Sequence, residues 1–101
     1  MEITGHTVEL LEDPFGLLQG HRYEFFLDIN VDEEDELYTE KGILLKVIFL
    51  LDGGEGRILQ NYFIEEETEK VLDFDLEDEE IEAVKAYCMQ NLDTEVDNES
   101  N

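Results

Sequence analysis

Residues 43–51 read Ile-Leu-Leu-Lys-Val-Ile-Phe-Leu-Leu, and no other segment of the chain is apolar at nearly every position. Side chains alternate between the two faces of a β-strand. One face of this segment therefore carries Ile43, Leu45, Val47, Phe49 and Leu51. The other face carries Leu44, Ile48 and Leu50. Because both faces need cover, we predict that this strand lies at the centre of a sheet.

Two segments before this strand have the composition of strands. Residues 2–11 mix β-branched and polar side chains, and the following residues 13–16, which include a proline and a glycine, predict a turn. Residues 21–31 alternate between apolar and polar side chains, with Phe26 as the exception on the polar side. We therefore predict two strands joined by a turn and a short loop.

Two further strands are predicted after the central one. The glycine-rich residues 52–56 are typical of a hairpin turn. Residues 57–65 then carry large side chains on both faces, and strict alternation places Leu59 on the opposite face of the sheet from Ile58. Residues 71–76 alternate so that one face is apolar. That face carries Leu72, Phe74 and Leu76.

A C-terminal helix is predicted over residues 78–92. Three acidic residues open this segment, where they favour the positive end of the helix dipole. Ile81, Val84, Cys88 and Leu92 then recur at steps of three and four and form one apolar stripe. Residues 93–101 are polar and acidic, and we expect a disordered tail.

These elements predict an α+β fold with a single domain over residues 1–92. Connections of hairpin length make sequential strands pair, which gives an antiparallel β-meander of about five strands. One C-terminal helix packs on one face, and the strand at 43–51 lies between those at 21–31 and 57–65. The alternative is a small, strongly bent β-barrel with the helix plugging one end.

The charge is the most unusual feature of the composition. The chain has 29 Asp and Glu against 6 Lys and Arg, a formal net charge of -23. Direct binding to nucleic acid is disfavoured, because Lys and Arg side chains supply that affinity. The acidic residues concentrate in two segments, and we predict an acidic interaction surface made of Asp32, Glu33, Glu34, Asp35, Glu36, Glu65, Glu66, Glu67, Glu69, Asp73, Asp75, Glu77, Asp78, Glu79, Glu80 and Glu82.

Such a surface suits a basic protein partner. We expect a non-enzymatic interaction protein, and one form of this function is mimicry of DNA, in which carboxylates occupy the basic groove of a DNA-binding protein. The alternative reading of the same residues is a solvated acidic surface that has no partner.

A second surface is predicted on the sheet face opposite the helix. Its apolar side chains are Phe26, Leu44, Ile48, Leu59 and Phe63. Patches of this kind mark interfaces, and a homodimer that stacks sheet on sheet would bury this one. Alternatively, the N-terminal strand and the loop at residues 17–20 fold across it.

The sequence offers no catalytic, cofactor-binding or metal-binding motif. Asp28, Asn30 and Asp32 match the start of a calcium loop, but Glu33 stands where that loop needs glycine. His6, His21 and Cys88 lack the paired spacing of a zinc site. The competing functional class is a small-ligand or enzyme domain with a pocket between helix and sheet. We would place that pocket near Tyr23, Tyr62 and Tyr87.

The cellular compartment is predicted from what the chain lacks. The N-terminus has neither the basic region nor the apolar core of a signal peptide, and the longest apolar run has Lys46 inside it. The single cysteine, Cys88, fits a reducing compartment. We therefore expect a cytoplasmic protein without membrane association.

Several stretches resemble a family of small, acidic, uncharacterised proteins from Bacillus-type bacteria. The resemblance rests on residues 1–5 (MEITG), 12–16 (EDPFG), 22–29 (RYEFFLDI) and 32–38 (DEEDELY). It covers most of the chain and weakens in the helix and tail. The resemblance implies a bacterial cytosolic protein of unknown function and carries over no catalytic residue.

The charge excess predicts that salt stabilises the fold. Neighbouring surface carboxylates repel one another over the Debye length of about 8 Å at physiological ionic strength. We expect the melting temperature, measured by circular dichroism, to rise from low to moderate salt. A flat or falling curve would mean that the charges are already compensated.

Overall fold

The computed structural model describes residues 1–12 and 19–92 and contains five strands and one helix. The elements are β1 (Glu2–Leu11), β2 (His21–Asn30), β3 (Ile43–Asp52), β4 (Glu55–Glu65), β5 (Val71–Leu72) and α1 (Asp78–Asn91). The predicted turn at 13–16, the first half of the loop at 17–20 and the predicted tail at 93–101 lie outside the described residues.

The strands form one open antiparallel sheet in the order β1-β2-β3-β4-β5. Each strand pairs with its neighbours in sequence, so the predicted meander with a C-terminal helix is confirmed. β1 and β5 are the two edges of the sheet, which separates this architecture from the alternative closed barrel. The predicted central position of β3 between β2 and β4 is also confirmed.

The inner face of the sheet carries the hydrophobic core. In an antiparallel pair, directly opposed residues point to the same face. Phe25 is thus aligned with Val47 across β2 and β3, and both are fully buried. The core combines this face with side chains from α1 and from two loops, namely Val8, Phe25, Leu27, Ile29, Leu37, Ile43, Leu45, Val47, Phe49, Phe63, Leu76, Val84, Cys88 and Leu92.

α1 packs on the inner face through its apolar stripe. Val84 and Cys88 are fully buried there. A hydrogen bond of 2.8 Å between His6 Nδ1 and the Tyr87 hydroxyl ties the helix to β1. Two residues further along the helix, Met89 lies so close to Gly56 of β4 that a Cβ atom at Gly56 would overlap its sulfur. The C-terminal part of the helix therefore contacts both β1 and β4.

We call the opposite side of the sheet the outer face. It consists of sixteen residues in four rows that run across β1 to β4. In the order of those strands, the rows are Leu11, Arg22, Leu50 and Arg57; Glu9, Glu24, Ile48 and Gln60; Thr7, Phe26, Lys46 and Tyr62; and Gly5, Asp28, Leu44 and Ile64.

A β-bulge in β4 corrects the alternation predicted for residues 57–65. Ile48 is aligned with Gln60, but the next residue, Phe49, is aligned with Ile58, so Leu59 is the extra residue. The bulge shifts the side-chain alternation by one position. Ile58 and Phe63 consequently share the inner face, where strict alternation had placed them on opposite sides.

The predicted strand at 71–76 is much shorter than expected. Only Val71 and Leu72 pair with β4, and the chain then bends at Asp73. Beyond the bend, Leu76 reaches the core, whereas Phe74 is 38 % exposed. The prediction that Phe74 shares a dry strand face was wrong, because the segment leaves the sheet before that residue.

Burial of Cys88 predicts an unreactive thiol in the native protein. Desolvation raises the pKa of this thiol to about 12. Because the thiolate is the reactive form, its fraction at pH 8 should be about a thousandfold lower than for a free cysteine. We expect a chromogenic thiol reagent to label Cys88 only as fast as the protein unfolds.

The pH dependence of stability has a defined sign for this group. The unfolded thiol loses its proton near its ordinary pKa while the folded one keeps it, so stability is fully present below that value and falls as the pH rises toward about 12. Rapid labelling of the native chain, at the rate seen in denaturant, would contradict this burial.

Candidate functional surfaces

Two acidic segments that are distant in sequence meet at one end of the sheet. The β2–β3 connection and the β4–β5 connection lie side by side there. Thr39 Oγ1 donates a 3.0 Å hydrogen bond to Glu65 Oε2, and the Glu66 amide donates one of 3.0 Å to the Gly42 carbonyl. Gly42 has a φ of +88°, and a side chain there would collide with Glu66. These contacts fix the two connections to each other.

We call this region the acidic end, defined as residues 32–36, 65–69 and 73–82. It contains all sixteen residues of the predicted acidic interaction surface. Only Glu65 and Glu80 among those sixteen are partly buried, and the other fourteen are exposed. Within the described part of the chain, no Lys or Arg forms an ion pair with any of them. The acidic end therefore presents uncompensated carboxylates to solvent.

Residues 32–36 are held outward by a compact turn. The Asp35 amide donates to the Asp32 carbonyl at 2.9 Å, and the Leu37 amide donates to Asp35 Oδ1 at 2.9 Å. This turn directs Leu37 into the core, where it is buried. The apolar anchor holds the acidic run against the sheet, so these carboxylates have a defined position.

Glu65 is the carboxylate with the most hydrogen bonds at this end. The Thr68 hydroxyl donates to Oε1 at 2.7 Å, and the Thr39 hydroxyl donates to Oε2. These two hydrogen bonds lower the pKa of Glu65, and the nearby charges of Lys41 and Lys70 lower it further. Glu65 therefore stays ionised and serves as the link between the two acidic segments.

A cleft of about 220 Å³ opens between these segments and the start of α1. Part of its lining is apolar, and part consists of carboxylates. The apolar residues are Met1, Val31, Leu37, Phe63 and Phe74. The carboxylates are Asp35, Asp75, Glu77 and Glu80. The cleft thus combines apolar contact area with four negative charges.

A second cleft, of about 340 Å³, lies at the opposite end of the sheet. It is lined by Leu50, Asp52, Glu55, Gly56, Arg57 and Lys85. Two cations and two carboxylates share this lining, so its charges balance. The molecule is therefore electrostatically polar along the strands, with its excess negative charge at the acidic end.

The predicted apolar patch is partly assembled on the outer face. Phe26, Leu44 and Ile48 lie there, and each is partly buried. Phe63 instead lies on the inner face and is only 3 % exposed. Leu59 lies at the bulge and is 39 % exposed. Because of that bulge, Tyr62 and Ile64 take the positions on the outer face that were expected for Leu59 and Phe63.

Lys46 occupies the middle of the outer face. Its Nζ atom lies 3.4 Å from Glu24 Oε2, the one ion pair among the residues described. The same atom lies 5.9 Å from the ring centre of Phe26 and 5.5 Å from that of Tyr62. Interaction with the Tyr62 hydroxyl chiefly raises the pKa of Lys46, against the opposing effect of burial, and Glu24 adds to the rise. Lys46 is therefore cationic and fixed in place.

The predicted tyrosine pocket is not formed. Tyr23 and Tyr87 both pack against the core on the inner side of the sheet, but Tyr62 lies on the outer face beside Lys46. The two clefts described above are lined by other residues. This arrangement removes the three-tyrosine site on which the ligand-binding alternative depended.

The three residues that match the start of a calcium loop do not come together. Asp28 and Asn30 are exposed on β2, and Asp32 begins the following turn. In residues 1–12 and 19–92, no three His, Cys, Asp or Glu side chains are grouped so that they could hold a metal ion.

Over the same two segments, no helix has the length and apolar character needed to cross a membrane.

Sequence reasoning missed two features of these surfaces. The first is the Lys46 cluster, for which the signal was a lysine inside the most apolar strand. The second is the His6–Tyr87 hydrogen bond, which joins residues 81 positions apart. Neither residue pattern has a local periodicity, so both depend on the tertiary structure.

Comparisons with known proteins identify one family. Searches of curated proteins and of solved structures find no match. The sequence profile of a family of unknown function, DUF6509, matches residues 1–95, which is nearly the whole chain. The chain therefore belongs to the DUF6509 family.

Proposed function

We propose that the protein is a non-enzymatic interaction protein that binds a basic protein through its acidic end. One observation carries this proposal: hydrogen bonds from Thr39 to Glu65 and from Glu66 to Gly42 bring the two acidic segments together. Two acidic segments that served only as solvated surface would not need hydrogen bonds to each other. Here the runs form one continuous negative surface on a folded scaffold.

The electrostatics of that surface favour a cationic partner. Its carboxylates have no ion-pair partner within the described residues, so their potential is not cancelled locally. Charges within about 8 Å of one another add their fields at physiological ionic strength. A strong potential of one sign steers an oppositely charged partner and raises the association rate.

The cleft at the acidic end supplies a place for a side chain of that partner. Lys and Arg side chains have an aliphatic stem and a charged tip. Phe74 and Leu37 offer apolar contact for the stem, and Asp35, Asp75 and Glu80 offer carboxylates for the tip. The exposed ring of Phe74 can also receive a cation on its face.

A narrower form of the proposal makes the partner a DNA-binding protein. In that form the acidic end occupies the groove in which the partner holds DNA. Double-stranded DNA should then displace the protein from its partner. Binding that persists in the presence of excess DNA would be consistent with a basic protein partner but would contradict mimicry of DNA.

Neutralising charges at the acidic end should weaken partner binding. We choose three exposed residues and expect salt-sensitive capture of basic proteins from lysate to fall by about tenfold or more, equivalent to about 1.4 kcal/mol. The variant carries E33Q, E34Q and E66Q. The measurement is quantitative mass spectrometry of pull-downs at low and moderate salt.

A matched control separates the acidic end from net charge. It removes three exposed acids away from this region and from the outer face, and carries E12Q, D52N and E55Q. The control should keep the capture of the wild-type chain, since the two variants have the same net charge. Equal loss in both variants would mean that net charge alone attracts these proteins, and the proposal would fail.

The cleft makes a contribution separate from that of the carboxylates, and it can be tested at Phe74. F74A removes the exposed ring and should weaken binding of the captured partner by about fivefold to tenfold, measured by titration with the purified partner. V71A is the control, because Val71 is 58 % exposed and does not line the cleft. Equal affinities for F74A and wild type would exclude the cleft from the contact surface.

A further inference from the structure

The outer face has an unusual charge balance for this chain. Its sixteen residues include three cations, Arg22, Lys46 and Arg57, which are half of the six in the chain. They also include three acids, Glu9, Glu24 and Asp28. The face is therefore neutral in a chain whose net charge is -23. A neutral face is where a second copy can approach with the least repulsion.

The same face is apolar and lacks cover from the described secondary structure. Its three inner strands carry six large apolar or aromatic residues, of which two are buried and four are partly buried in the single copy. The buried ones are Leu50 and Ile64, and the partly buried ones are Phe26, Leu44, Ile48 and Tyr62. α1 packs on the inner face, and none of the described strands or helices lies over the outer face. A contiguous apolar area on one face marks an interaction site.

We propose that the outer face is the interface of a homodimer, in which two copies stack face to face with their strands antiparallel. The two-fold axis lies in the plane between the sheets, perpendicular to the strands. β2 then lies over β2 and β3 over β3, so the first row of one copy faces the last row of the other. This geometry brings Arg22 of each copy opposite Asp28 of the second copy.

The centre of the interface is the Lys46–Glu24 ion pair. The axis passes between the row of Glu24 and Ile48 and the row of Phe26 and Lys46. Lys46 of one copy therefore approaches Ile48 and Glu24 of the other. An ion pair that is already formed in each copy enters the interface without an unpaired charge, which avoids the main cost of burying it.

Charge complementarity selects this orientation over the alternative. Stacking with parallel strands would overlay the two acidic ends. Antiparallel stacking places them at opposite poles of the dimer and sets the end that carries Arg22 and Arg57 above the acidic end of the second copy. Electrostatic complementarity of this kind fixes register and suppresses the wrong arrangement.

The area is sufficient for a weak to moderate dimer. Strands of about ten residues rise about 3.3 Å per residue, and four strands span roughly 15–20 Å, so each copy offers on the order of 500–600 Å². The total, about 1,000–1,200 Å², is at the lower limit of specific interfaces. We expect association at micromolar to tens of micromolar concentration.

Sedimentation velocity with the full chain tests the interface. Wild type at a concentration about tenfold above that range should approach twice the chain mass of 11.8 kDa. I48E places a charge at the centre of the face and should raise the dimer dissociation constant by about a hundredfold. L59E is the control, because Leu59 is exposed outside the sixteen residues and gains the same charge. A monomeric wild type, or an I48E variant that still dimerises, would overturn the proposal.

A charge-swap experiment tests the orientation without relying on the stability of one variant. R22E and D28K should each weaken self-association by about tenfold, because each puts like charges opposite one another twice per dimer. An equimolar mixture should dimerise within about threefold of wild type, since the mixed dimer has one native and one reversed pair. If the mixture stays as weak as its components, the antiparallel orientation is wrong.

Discussion

The pairing of β3 on both sides is the constraint on which the other features depend. A strand that is apolar on both faces has to be central, and the meander places β2 and β4 beside it. The chain has only one helix among its described residues to cover that sheet. α1 covers the inner face, where Phe25, Val47 and Phe49 are fully buried. The outer face is left to its own side chains, and Lys46 lies among them between two aromatic rings and a carboxylate. The core and the proposed interface are therefore two consequences of one strand.

Segregation of charge is the second organising effect. A net charge of -23 on 101 residues opposes compaction, because like charges approach one another as the chain folds. The fold reduces this cost by keeping fourteen of the sixteen predicted surface acids exposed. Glu65 is held by two hydroxyl donors, and these donors and two nearby lysines lower its pKa. The outer face, in contrast, carries three cations and three acids and is therefore neutral. Repulsion is thus concentrated where solvent screens it and is absent where two copies would meet.

Long regular segments of the fold could be predicted, whereas local irregularities could not. The limits of β1 and the position of β3 follow from composition and alternation over about ten residues. The bulge at Leu59 leaves no trace in the alternation, because its neighbours Ile58 and Tyr62 are large whichever face they occupy. The early end of β5 is set by pairing with β4 and not by its own pattern. That the two acidic segments lie together could have been predicted from the sequence, since alternate connections of a meander lie at the same end of the sheet. The hydrogen bonds that join these segments could not have been predicted in the same way.

The two proposals are linked through geometry. Each copy is about 44 Å along its longest axis, so antiparallel stacking separates the two acidic ends by tens of ångströms. A dimer then presents two identical sites that point away from each other. A partner with a single basic site gains nothing from this arrangement, whereas a partner with repeated basic sites, or an oligomer, binds with an effective concentration set by the dimer. In the proposed dimer, weak self-association would leave the intrinsic affinity of each acidic end unchanged and would raise the apparent affinity only for extended or multivalent basic partners.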